Sequence, residues 1–138
     1  MEQEKNNIPE GVIHVTGKGV GYFPIPDADE DFEIQPENLN AALNRDRVRV
    51  ESLRAEILGR KQARVVEIVE RHKTAFVGNL ENAPEGFFVV PDDKRMYRDI
   101  FVLEGKLMNA KAGDKVQVKI TEWSDPSKSP KGEVVRVI

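Results

Sequence analysis

Four short blocks of this 138-residue chain occur twice, in the same order, at a spacing of 65–69 residues. Gly21-Tyr22-Phe23 returns as Gly86-Phe87-Phe88, and Asp31-Phe32-Glu33-Ile34 as Asp99-Ile100-Phe101-Val102. Asn44-Arg45-Asp46-Arg47-Val48-Arg49-Val50 returns as Ala112-Gly113-Asp114-Lys115-Val116-Gln117-Val118. Arg64-Val65-Val66-Glu67-Ile68-Val69 returns as Glu133-Val134-Val135-Arg136-Val137-Ile138. One such match is easily met by chance, whereas four in order mark a duplication, and a repeat of this length fixes the architecture before any local reading begins. The expected division is a disordered leader over residues 1–10, a first unit over 11–70 and a second over 71–138.

Each unit reads as β structure. Val48 and Val50 alternate with Arg47 and Arg49, and Val116, Val118 and Ile120 with Lys115, Gln117 and Lys119. This period of two marks strands with one wet face. Prolines and glycines punctuate the runs, as they do at strand ends and turns. Strands are expected near 11–16, 19–25, 31–35, 47–53 and 62–69, then near 74–80, 86–91, 99–103, 115–122 and 132–138. A short helical turn falls between the third and fourth strand of each unit, over Pro36 to Leu43 and over Leu107 to Ala112. The predicted fold is all-β, two tandem five-stranded barrels of the oligonucleotide-binding (OB) type, since closure of a small sheet removes the edges that invite aggregation.

Composition narrows the chemistry. With no cysteine there are no disulfides, thiolate metal sites or cysteine nucleophile, and a reducing cytoplasm suits the chain. His14 and His72 stand 58 positions apart, a poor start for a metal site. Asp92-Asp93 and Asp27 to Asp31 follow prolines in evident loops, where aspartate serves turns. No metal or catalytic residue is therefore expected in the chain. No apolar run approaches the roughly 18 residues of a membrane span. The net charge of −3 is unevenly spread: residues 1–58 carry six Lys/Arg against twelve Asp/Glu, residues 59–138 fifteen against twelve. A surface for a polyanion belongs mainly to the second part.

The most informative hexapeptide is Lys18-Gly19-Val20-Gly21-Tyr22-Phe23. Alternation puts Val20 and Tyr22 on one face and Phe23 on the other, so that a ring stands outward beside a lysine. A π-face for a base and a cation for a phosphate are what single-stranded nucleic acid needs. The hexapeptide resembles the first ribonucleoprotein motif of cold-shock domains, and Asp31 to Ile34 and Asp99 to Val102 resemble the second. From Gly11 to Ile138 the chain resembles the paired N-terminal cold-shock domains of the ribonuclease R and ribonuclease II family. The second unit is the more specific match, through Phe76-Val77-Gly78, Gly86 to Asp93, Arg95 to Val102 and Gly132 to Ile138.

That resemblance implies a module that guides or unwinds single-stranded RNA for a processive 3′-to-5′ exoribonuclease. The magnesium-dependent catalytic domain of that family, with its aspartate cluster, would lie beyond Ile138. In the first unit Val20 and Glu33 stand where the family places aromatics, and Val15 where a surface tryptophan is usual, which leaves Tyr22 with Lys18 and His14. In the second unit Phe87 and Phe101 take the outward phase, with Lys94, Arg95, Tyr97 and Arg98 in the loop between them. Phe23 and Phe88 take the inward phase. The rim between strands four and five adds Lys128 and Lys131, with Arg60 to Arg64 as its counterpart in the first unit. Trp123 either packs at a barrel end or between barrels, or stacks on a base. Two rival readings remain open from sequence, a free-standing RNA chaperone and a protein-interaction module.

Overall fold

A computed structural model describes residues 8–138. The chain divides into two compact units, one ending at His72 and the other spanning Lys73–Ile138. Each is built of strands, and among the described residues the only helical elements are two 3₁₀ turns, Pro36–Asn38 and Glu104–Lys106.

The strands of the first unit are β1 (Glu10–Val12), β2 (His14–Val15), β3 (Gly21–Pro24), β4 (Asp31–Ile34), β5 (Arg47–Ile57) and β6 (Arg60–Glu70). They form one sheet in the order β1-β5-β6-β4-β3-β2. β1 and β2 lie at opposite edges although only Ile13 separates them in sequence, so the chain itself links one edge to the other. Ile13 donates its N–H to Asp46 O (3.0 Å) and accepts from Arg45 N–H (2.8 Å) across that gap. Val48 and Val50 of β5 are fully buried and Arg47 and Arg49 exposed, as the alternation requires. The Glu10 carboxylate accepts from both guanidinium groups, at 2.7 and 3.1 Å. These surface pairs add about 1 kcal/mol at most, whereas burying each valine is worth roughly 1.5–3 kcal/mol, so the apolar face sets the register.

β5 and β6 run past the barrel as a two-stranded ribbon. Residues 51–57 are exposed throughout, and the tip is Leu58-Gly59, both at positive φ (51° and 80°). Arg60 to Arg64 are thus strand rather than the rim loop the sequence suggested, and Gln62 and Ala63 among them are buried.

The second unit comprises β7 (Ala75–Ala83), β8 (Gly86–Pro91), β9 (Ile100–Val102), β10 (Lys115–Glu122) and β11 (Lys131–Val137), a closed barrel in the order β10-β11-β9-β8-β7. The seam is the parallel contact of β9 with β11, where Val102 lies opposite Gly132. A Cβ on Gly132 would sit 2.5 Å from Lys119 O and 2.9 Å from Ile100 Cγ2, so the seam closes only around glycine.

The helical turns are shorter than expected. After Pro36–Asn38 the chain enters the left-handed region at Asn40 (φ 51°) and Ala41 (φ 67°), which no helix over 36–43 accommodates. Leu39, Ala42 and Leu43 are nonetheless buried. In the second unit the turn precedes Leu107–Ala112, and Met108 and Asn109 take the left-handed conformation (φ 50° and 64°). Of the leader expected over 1–10, residues 1–7 lie outside the described residues. Glu10 already belongs to β1, and Pro9 O accepts from Val50 N–H at 3.0 Å.

Candidate nucleic-acid interface

Across β8 and β9, Phe87 lies opposite Val102, Phe88 opposite Phe101 and Val89 opposite Ile100. Cross-strand partners share a face. Val89, Ile100 and Val102 are completely buried, whereas Val90 is 37% exposed. Phe87 therefore has the inward phase and Phe88 the outward one, the reverse of the sequence expectation. Phe101 is outward as expected. The Phe88 and Phe101 rings meet edge-on, with centroids 5.3 Å apart and planes at 63°. Gly86 (φ 146°) allows this, because a Cβ there would come within 3.2 Å of the Phe101 ring.

The glycines of the two repeats are offset by one residue in strand phase. Tyr22 lies opposite Glu33, between the buried Phe32 and Ile34. Phe88 lies opposite Phe101, between the buried Ile100 and Val102. By phase Tyr22 corresponds to Phe88 and Gly21 to Phe87. In Gly86-Phe87-Phe88-Val89-Val90 no polar residue marks the phase. Only the buried pair Ile100/Val102, taken with the register, supplies it.

Lys131 lies opposite Phe101 in the parallel pair, also outward. The outer row thus reads Glu81, Phe88, Phe101, Lys131, Glu122 across five strands. Beyond its end, the loops after β8 and β10 are tied together. Arg98 Nη2 donates to Pro126 O at 2.9 Å, and Trp123 Nε1 to Lys128 O at 2.8 Å. The Tyr97 ring packs 6.3 Å from that of Trp123, and the Arg98 guanidinium stands 5.9 Å from the Tyr97 centroid. Trp123 thus packs against Tyr97 and the Lys128 carbonyl just beyond the end of β10. Arg98 Nε is buried with no hydrogen-bond partner. Lys94, Arg95 and Lys128 are exposed on the same two loops. Neighbouring aspartates are engaged elsewhere: Asp92 accepts from Lys115 Nζ at 2.7 Å, and Asp93 Oδ1 from Arg95 N–H at 2.9 Å.

Hydrogen bonds from the Ser127 hydroxyl and N–H hold the Asp125 carboxyl below its usual range. Burial, and then the charge of Glu81, push that of Asp99 above it. A raised folded pKa means the native state takes up a proton more readily than the unfolded chain, so ionised Asp99 penalises folding above that pKa. Asp99→Asn is expected to raise the melting temperature of the second unit at neutral pH. That gain should shrink as pH falls through the Asp99 titration, which paired thermal melts from pH 4 to 8 would check.

In the first unit the corresponding row is His14, Tyr22, Glu33 and Gln62. His14 is exposed, Tyr22 half-buried, and the Arg60 guanidinium lies 5.8 Å from the Tyr22 centroid. Lys18 stands exposed in the turn between β2 and β3, apart from this row. Val15, expected at a surface position, is 1% exposed, because His14 takes the outward phase beside Tyr22. Among the described residues no three His, Asp or Glu gather to hold a metal, and no helix is long and apolar enough to cross a membrane.

The cold shock domain family matches residues 88–138. Ribonuclease R of Thermotoga maritima is 33% identical over 128 residues, covering 93% of this chain and 18% of that protein. Ribonuclease R of Escherichia coli is 26% identical over 135 residues, covering 98% of this chain and 17% of that protein. Among solved structures, Mycoplasma genitalium RNase R in complex with ribose-methylated single-stranded RNA superposes with a TM-score of 0.78 at 26% identity, over 94% of this chain and 21% of that one. The chain thus spans about a fifth of the proteins it matches. Sequence and fold together make it a homologue, over nearly its whole length, of the N-terminal cold-shock region of ribonuclease R.

Proposed function

We propose that this chain is a single-stranded RNA-binding module of two OB-type units, the first of six strands and the second a five-stranded barrel, serving a 3′-to-5′ exoribonuclease of the ribonuclease R kind. It guides or unwinds RNA toward a magnesium-dependent catalytic domain that is no part of these residues. The observation that carries the reading is the outward pair Phe88 and Phe101 beside Lys131, with Arg98 and the exposed lysines on the adjoining loops. Rings offer every base a stacking face, and the cations track the backbone without regard to sequence. The homology supports the exoribonuclease context, and the lack of cysteine supports a cytoplasmic setting.

Lys94, Arg95, Arg98, Lys128 and Lys131 allow up to five phosphate contacts. With about 0.7 of a counterion released per phosphate, log affinity should fall against log salt with a slope as steep as about −3.5. Fluorescence anisotropy of a labelled single-stranded RNA from 50 to 300 mM salt measures it. Binding indifferent to salt overturns the reading, and no binding even at low salt favours the protein-interaction alternative.

A further inference from the structure

Building on the RNA-binding reading, we infer that the first unit holds a pocket for a single base and that the pocket selects guanine. Its stacking surface is Tyr22, and its edge reader is the carboxylate of Glu33 on the neighbouring strand. Glu33 Oε1 accepts from Gln35 Nε2 at 3.0 Å and from Gln62 Nε2 at 2.9 Å. Gln35 Nε2 also donates to Gln62 Oε1 at 3.1 Å, and Gln62 Nε2 to Arg60 O at 3.1 Å.

A side-chain amide nitrogen carries two hydrogens. All four hydrogens of the two glutamines are therefore spent within the cluster, and both lone pairs of Glu33 Oε1 are taken. The groups left to meet a guest are acceptors, Glu33 Oε2 and Gln35 Oε1. Gln62 is only 2% exposed, so the carboxylate is braced from beneath in a fixed orientation.

An acceptor-only edge discriminates among bases. On the Watson–Crick side guanine sets two donors next to each other, N1–H and the N2 amino group. Uracil flanks its single donor with two carbonyls, and adenine and cytosine place a ring-nitrogen acceptor beside their amino group. RNA bases in single strands are read on this edge while they stack on aromatic rings. The spacing of adjacent strands, about 4.8 Å, puts Glu33 within reach of the rim of a base lying on Tyr22. The Arg60 guanidinium, 5.8 Å from the Tyr22 centroid, sets a cation beside this ring. By phase the second unit has Phe88, Phe101 and Lys131 where the first has Tyr22, Glu33 and Gln62. One unit grips and the other reads.

The test compares affinities of the whole chain for labelled heptauridine, the same oligomer with one central guanosine, and one with central inosine, which lacks the N2 amino group. Guanosine is expected to improve binding about tenfold, the scale of one hydrogen bond to a charged group, with inosine intermediate. Glu33→Gln and Tyr22→Ala should each bring the guanosine-to-uridine ratio close to one, with circular dichroism verifying the fold. Equal affinities in the native chain, or a ratio that both variants leave intact, overturn the guanine pocket alone. Failure to bind any oligomer overturns the RNA-binding reading and the pocket with it.

Discussion

A chain carrying both Phe88→Ala and Phe101→Ala is expected to bind single-stranded RNA at least about 30-fold more weakly, with little change in melting temperature. Each base stacked on a ring contributes roughly 1–3 kcal/mol, and 2 kcal/mol lost corresponds to about 30-fold. The two rings touch each other, so their losses need not add. Both point away from the barrel interior and are only half-buried, so truncation empties no core site. Phe87→Ala is the contrasting variant. Its side chain shares the inner face with Val89 and Val102, so it should lower stability by roughly 2–3 kcal/mol, less than the usual 3–5 for an emptied aromatic site because the residue keeps some exposure. Anisotropy and urea unfolding of the same samples separate the two effects. Native-like affinity in the double variant would remove the platform from the mechanism.

Asp46→Ala should cost the first unit about 3–5 kcal/mol, the scale of breaking a buried ion pair. Asp46 is completely buried and accepts from Leu43 N–H and His72 N–H, each at 2.9 Å, and from Arg71 Nη1 at 2.8 Å. Its own backbone carbonyl receives Ile13 N–H, at the point where the sheet's two edges meet. Removing the carboxylate strands two backbone donors at once and takes an ion-pair partner from Arg71, whose Nη1 still donates to Ala41 O at 2.6 Å. A domain of this size has only about 5–15 kcal/mol in total, so the unit should be largely unfolded in mild denaturant. The lone tryptophan, Trp123, reports on the second unit, so far-UV circular dichroism would show a transition that fluorescence does not. Asp114 has the same place in the repeat, but it is more exposed, and among the described residues its carboxylate accepts from Lys111 N–H alone. Its alanine variant should lose about 1 kcal/mol. Matching losses in the two variants would contradict the account.

Much of this fold was legible because its strands alternate. Arg47 and Arg49, which alternate with Val48 and Val50, and the Gln and Lys between Val116 and Ile120, mark the wet face without ambiguity. The apolar pair Ile100/Val102 likewise turned Phe101 outward. Where every residue is apolar, as from Phe87 to Val90, alternation carries no phase, and the repeat's glycines misled by one position. The glutamine cluster was invisible for another reason. Gln35 and Gln62 are 27 residues apart and meet only through the parallel contact of β4 with β6. The ribbon of β5 and β6 was underestimated because Glu51 to Ile57 lacks the alternation that signals a strand, which needs no buried face where both faces are wet.

That ribbon has a practical consequence. Leu58 at its tip is 100% exposed, and a Cβ on Gly59 would touch nothing within 4 Å. The buried positions of β5 end at Val50. Natural variants can therefore lengthen or trim the tip with little penalty to the barrel, and a dye or affinity tag grafted there would disturb none of its buried positions.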